Sequence, residues 1–107
     1  MTLRDDFIGE LDRAPARFLI ELCWQLHIST RGYYASASLD PEMTRQALEG
    51  MNELALIVAE QLRSLDRKPW AYDNETFIQL LGEKAGIYKV GGDLRGSIER
   101  ALERLSG

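Results

Sequence analysis

Apolar residues recur at intervals of three and four along most of this chain, the spacing of one face of an α-helix. Leu3, Phe7, Ile8 and Leu11 form the first such run. Thr2 stands ahead of it as a cap, Asp5 follows three positions on as in a capping box, and Asp6 sits beside the positive dipole end. Pro15 then interrupts: it cannot donate to the carbonyl of Leu11, and it biases Ala14 away from helical angles. A break at 13–15 with Pro15 opening a second helix is expected, and a single kinked helix is the alternative. The second helix should reach Tyr34 or Ala35. Within it Leu19, Ile20, Leu22, Cys23 and Leu26 cover the apolar side, while Glu21, Gln25 and Ser29 share the polar one.

"SASLD" reads as a loop of small polar residues, and Asp40-Pro41 is a start signal, an N-cap carboxylate before proline at the first helical position. The third helix is predicted to run to about Leu65, with Met43, Ala47, Met51, Leu54, Val58, Leu62 and Leu65 as its apolar stripe. Leu56 is the stray apolar residue on its polar side. "DRKPWAYD" should be a loop, and Asp73 or Asn74 should cap a fourth helix that Gly86 ends in a left-handed conformation. "IYKVGG" links onward to a last helix capped by Asp93, whose Leu94, Ile98, Ala101, Leu102 and Leu105 form a narrow seam. "IYKV" has the composition of a strand, but no second strand is available to pair with it. The expected fold is all-α: one domain over 1–107, with four main helices and a short N-terminal one. An antiparallel bundle and an irregular helical array both fit that pattern. The last seam suits either one neighbouring helix or a two-fold homodimer contact.

Composition narrows the class. With 45% apolar and 28% charged residues the chain is globular rather than disordered. A net charge of −4 argues against non-specific binding to DNA or an anionic membrane. "LALIVA", the longest apolar stretch, is far short of the roughly 20 residues of a membrane span. A single cysteine forms no internal disulfide, and "MTLRDDFIGELDR" has neither the basic nor the apolar region of a signal peptide, so a cytoplasmic protein is expected.

Candidate chemistry concentrates in "CWQLHISTRGYY", which holds the only cysteine and the only histidine. Cys23 and His27 lie on adjacent turns, as a metal-holding pair does. Zinc needs at least three protein ligands, however, and no Glu-x-x-His pair is present, so neither a metal nor a cofactor is expected. Nucleophilic catalysis by Cys23 would need an electropositive, exposed setting, whereas its neighbours are leucine, isoleucine and tryptophan. His27 is expected to hydrogen-bond to a tyrosine, carbonyl or carboxylate, and Arg31, Tyr33 and Tyr34 to cover the core with wet tips. His27, Arg31 and Tyr34, one turn apart with Cys23 beneath, are the candidate lining of a small ligand-binding groove. "RKPWAY" adds Arg67, Trp70 and Tyr72 as a candidate partner-binding loop, joined by Leu56.

"LLGEKAGIYKV" is similar to the first half of a helix-turn-helix, with Ala85, Gly86 and Ile87 at its junction. Gly92 stands where the motif needs an apolar residue, and Glu99 and Glu103 stand where phosphates would lie. "RGYY", "GMNELALIVAEQL" and "DLRGSIERAL" resemble small, all-α bacterial proteins of uncharacterised function. The resemblance implies a helical fold and no activity. The leading functional expectation is therefore a non-enzymatic cytoplasmic protein that binds another protein. A small-ligand or metal-binding bundle at the His27 region comes second, and a nucleic-acid regulator through 82–104 third.

Overall fold

The computed structural model describes residues 2–36 and 40–106. It is all-α: α1 (Leu3–Arg13), α2 (Pro15–Ala35), α3 (Pro41–Ser64), α4 (Asn74–Ile87) and α5 (Gly91–Ser106). Among the described residues there is no strand, including at "IYKV". The start signals act as their chemistry requires. Thr2 and Asp5 form a reciprocal capping box, Asp40 accepts from the Met43 amide, and Asp73 accepts from the Thr76 amide. Ala14 leaves helical angles and Pro15 opens α2, so the N-terminal pattern is two helices rather than one kinked rod. Most of the "SASLD" loop, residues 37–39, lies outside the described residues.

α2 is the central element, packing against α3, α5 and α1, while α4 leans on α3 and both α1 and α4 touch α5. Leu19, Leu22 and Leu26 from α2 and Met51, Leu54 and Val58 from α3 are fully buried between them. At one end, Phe7 meets Phe18 edge-on at 5.0 Å between ring centroids. It also lies 6.2 Å from Phe77, which stacks 6.4 Å from Tyr72. The seam of α5 turns inward, with Leu94 and Ala101 buried and Ile98, Leu102 and Leu105 packed on the shared core.

Several expectations need correction. Gly86 does not end α4: the helix runs on to Ile87, and Lys89 takes the left-handed conformation at φ 59°. The amide of Val90 bonds the Ala85 carbonyl (2.8 Å) and that of Lys89 bonds the Gly86 carbonyl (3.2 Å), a Schellman closure. Val90 is 1% exposed, and its carbonyl accepts from Leu94, so one buried residue closes α4 and starts α5. Burying Val90 outweighs the steric cost of a left-handed lysine. Asp93 consequently lies in the first turn of α5 instead of capping it. Met43, at the start of α3, is exposed rather than part of the stripe. Ile20 and Tyr34 also face outward, while the supposed polar side of α2 is covered.

Gly50 of α3 makes the α4–α5 corner fit. A Cβ there would sit 2.4 Å from the Tyr88 Cβ and 3.3 Å from the Val90 Cγ2. Both contacts are to atoms held close to the backbone, so Gly50→Ala should lower unfolding free energy by about 1–3 kcal/mol. Lys89→Gly should raise it by about 1 kcal/mol by relieving the left-handed side chain. Urea denaturation of the two variants checks both signs, and an alanine at 50 with parental stability would mean that the corner does not dock on α3.

Candidate functional site

The rotation of α2 about its axis follows from where its polar groups find partners. Gln25 is 4% exposed, and its Oε1 accepts from the Arg100 Nε of α5 at 3.0 Å. The same guanidinium donates to the Ser29 Oγ at 3.2 Å, and Ser29 and Ser97 hydroxyls lie 3.4 Å apart. One turn earlier Glu21 accepts from Arg104 at 3.0 Å. A buried amide left unpaired would cost about 1–3 kcal/mol, so this row of partners holds the Glu21–Gln25–Ser29 side against α5. At the C-terminal end the Tyr33 hydroxyl donates to the Asp93 carboxylate, adding a further tie between the helices.

With three sides of α2 covered, its fourth faces outward. It carries Ile20 at 59%, Trp24 at 53% and Ile28 at 43% exposure, four residues apart, with Tyr34 beyond them. Arg17, His27 and Arg31 are exposed on the same face. The His27 ring lies 5.6 Å from that of Trp24 at a 31° tilt, and among the described residues it makes no side-chain hydrogen bond of the kind expected. Arg17, Ile20, Glu21, Trp24, Arg104 and Leu105 line a shallow hollow at one end of the stripe.

The structure thus brings His27, Arg31 and Tyr34 together as one exposed face, with Cys23 half-buried at its edge and packed on the core. Burial pushes the Cys23 thiol above its ordinary pKa, which keeps it protonated and a poor nucleophile. Among the described residues no three His, Cys, Asp or Glu side chains gather as a metal site would require. Among the described residues no helix is long and apolar enough to cross a membrane.

The other candidates are spread out. Leu56 is exposed on α3 at 62%. The aromatic residues of the 66–73 loop face their own scaffold. Trp70 Nε1 donates to the Leu65 carbonyl at 3.3 Å, the Tyr72 hydroxyl donates to Glu60 at 2.9 Å, and Lys68 lies 5.5 Å over the Trp70 ring. Buried Gln61 clamps Tyr72 through both backbone groups, donating to its carbonyl at 2.8 Å and accepting from its amide at 2.9 Å. Arg67 is exposed beside Asp66. On α5, Arg100 and Arg104 turn toward α2 while Glu99 and Glu103 remain exposed.

Sequence reading placed Ile20 on the covered side and missed the stripe it makes with Trp24 and Ile28. The signal was present: Ile20, Trp24, Ile28 and Arg31 share one sector at 100° per residue. An apolar stripe and a polar one competed for the interior, and helical spacing alone does not decide between them.

A separate hollow of about 440 Å³ opens between α1, α4 and α5, walled by Phe7, Ile78, Leu81, Leu94 and Ile98, with Gly82 leaving space beside them. Compared with family models, curated proteins and solved structures, the chain matches none of them.

Burial, then the hydrogen bond to Asp93 and its charge, push the Tyr33 phenol up to about 12. Below pH 10 the phenol is protonated in folded and unfolded chains alike, so its bond to Asp93 stabilises the fold fully there. As pH rises from 10 to 12 the unfolded phenol ionises first, and that contribution is lost. Thermal melts of the parent and of Tyr33→Phe should therefore differ at pH 8 and converge toward pH 12. A constant difference across that range would exclude this role.

Proposed function

We propose that the protein acts by binding another protein, and that the outer face of α2 is the contact surface. The observation that carries this reading is the exposed Ile20–Trp24–Ile28 row. Isolated exposed apolar residues are ordinary, but a contiguous stripe with tryptophan at its centre is the composition of an interaction hot spot. It lies on a helix anchored on three sides, so little ordering cost attends its use. A cytoplasmic setting belongs to the same reading, since the single cysteine, Cys23, forms no internal disulfide. The alternative partner surface, the 66–73 loop with Leu56, has its aromatic groups engaged within the fold.

The test is capture from lysate of the native host by tagged protein. A partner held by the parent and by Leu56→Glu, but lost with Trp24→Glu, supports the α2 face. Trp24→Glu gives up the buried half of the indole and should cost about 1–3 kcal/mol, so a lost partner counts only where circular dichroism and melting show the variant still folded. Equal retention by all three proteins would exclude the α2 face.

A second reading, binding of a small apolar ligand, is favoured by the 440 Å³ hollow between α1, α4 and α5, a volume within the usual range of ligand sites. It shifts the ligand from the His27 region to a different part of the molecule. Medium-chain fatty acids should raise the melting temperature of the parent and not that of Gly82→Leu, in which the added side chain occupies the space. No shift with any chain length would remove this reading.

A further inference from the structure

We propose that the element received by α2 is an acidic amphipathic helix of the partner, lying along the Ile20–Trp24–Ile28 row with carboxylates against Arg17 and Arg31. This rests on the α2 face being the contact surface and adds the chemistry of what covers it. The spacing is that of helix-on-helix recognition. Ile20, Trp24 and Ile28 rise by about 6 Å per step, matching apolar anchors on successive turns of a second helix. Arg17 and Arg31 lie seven residues to either side of Trp24, about 21 Å apart along the axis.

Charge selects the partner. The chain carries a net charge of −4, yet the exposed face of α2 holds Arg17, His27 and Arg31 and no carboxylate. The one acidic residue of α2, Glu21, lies at the edge of this face, lining the hollow with Arg17, Ile20 and Trp24, and its carboxylate is already held by Arg104. Neither Arg17 nor Arg31 forms an ion pair among the described residues, in contrast to Arg45, Arg95 and Arg104. Two cations bracketing an apolar row complement a helix with Asp or Glu at both ends of its contact.

The same arrangement opposes a second copy of this chain. An antiparallel α2–α2 pair centred on Trp24 sets Ile20 against Ile28, which suits both, but it also sets Arg17 against Arg31 at each end. A parallel pair in register sets each arginine against itself. Like charges across a contact disfavour the pairing that the apolar residues alone would allow.

Two labelled 21-residue helical peptides test the assignment by fluorescence anisotropy against the whole protein. Both carry leucine at alternating three- and four-residue steps; one has glutamate on its flanks and the other lysine at the same positions. The glutamate peptide should bind at least about tenfold more tightly at low ionic strength, with the gap closing as sodium chloride is added. In Arg17→Glu/Arg31→Glu the preference should reverse, with circular dichroism confirming an unchanged fold. Equal binding of the two peptides overturns the acidic assignment while leaving α2 as a docking face. Binding of neither peptide at millimolar concentration overturns helix docking here, as does a dimer in sedimentation equilibrium that Trp24→Glu dissolves. The lysate capture described above then judges the α2 face separately.

Discussion

The hydrogen-bonded row between α2 and α5 is the constraint on which the functional surface depends. Gln25 is buried, and a buried amide needs a partner; Arg100 supplies it from a guanidinium that also reaches Ser29 and Ser97. Each exposed or half-exposed bond in the row is worth little alone, since an ion pair such as Glu21–Arg104 contributes about 0–1 kcal/mol. Together they hold the rotation of α2. Turning the helix by one residue would carry Gln25 and Ser29 away from Arg100 and shift the leucines that pack on α3. The apolar row that remains outside is therefore a consequence of where polar groups are satisfied, not a failure to bury hydrophobic area.

A second constraint acts where α4, α5 and α3 meet. Val90 is buried and serves two helices at once, through its amide at the end of α4 and its carbonyl at the start of α5. That corner lies close to α3 because Gly50 presents no side chain to Tyr88. The position of α5 follows from this corner, and with it the reach of Arg100 and Arg104 toward α2. Gly50 and the α2 face are thus linked through α5, although they lie on different helices.

The two aromatic concentrations behave in opposite ways. In the 66–73 loop, Trp70 and Tyr72 are tied to α3 through Leu65, Gln61 and Glu60, and Tyr72 extends the Phe7–Phe18–Phe77 stack. They brace the end of the molecule. On α2, among the described residues, the aromatic contact of Trp24 is with the His27 ring alone, and its flanking isoleucines are open to water. Similar side chains thus serve structure in one place and offer a surface in the other, according to whether a polar partner lies within reach.

Helix number, helix starts and the proline break were legible in the sequence, because caps and proline act through bonds to residues within one turn. Thr2, Asp40 and Asp73 needed no distant partner to do their work. The candidate site was legible only in part. His27, Arg31 and Tyr34 do share a face, but Ile20 and Trp24 belong with them, and Gln25 belongs inside. Gly86 misled for a related reason: its backbone freedom is local, whereas the end of α4 was decided by the burial of Val90 against other helices. Local hydrogen bonding and periodicity determined which segments are helices and which stripes each one carries. Only the tertiary structure decided which stripe went inward, because that choice depends on Arg100, Arg104 and Gly50, residues far along the chain from the helix they orient.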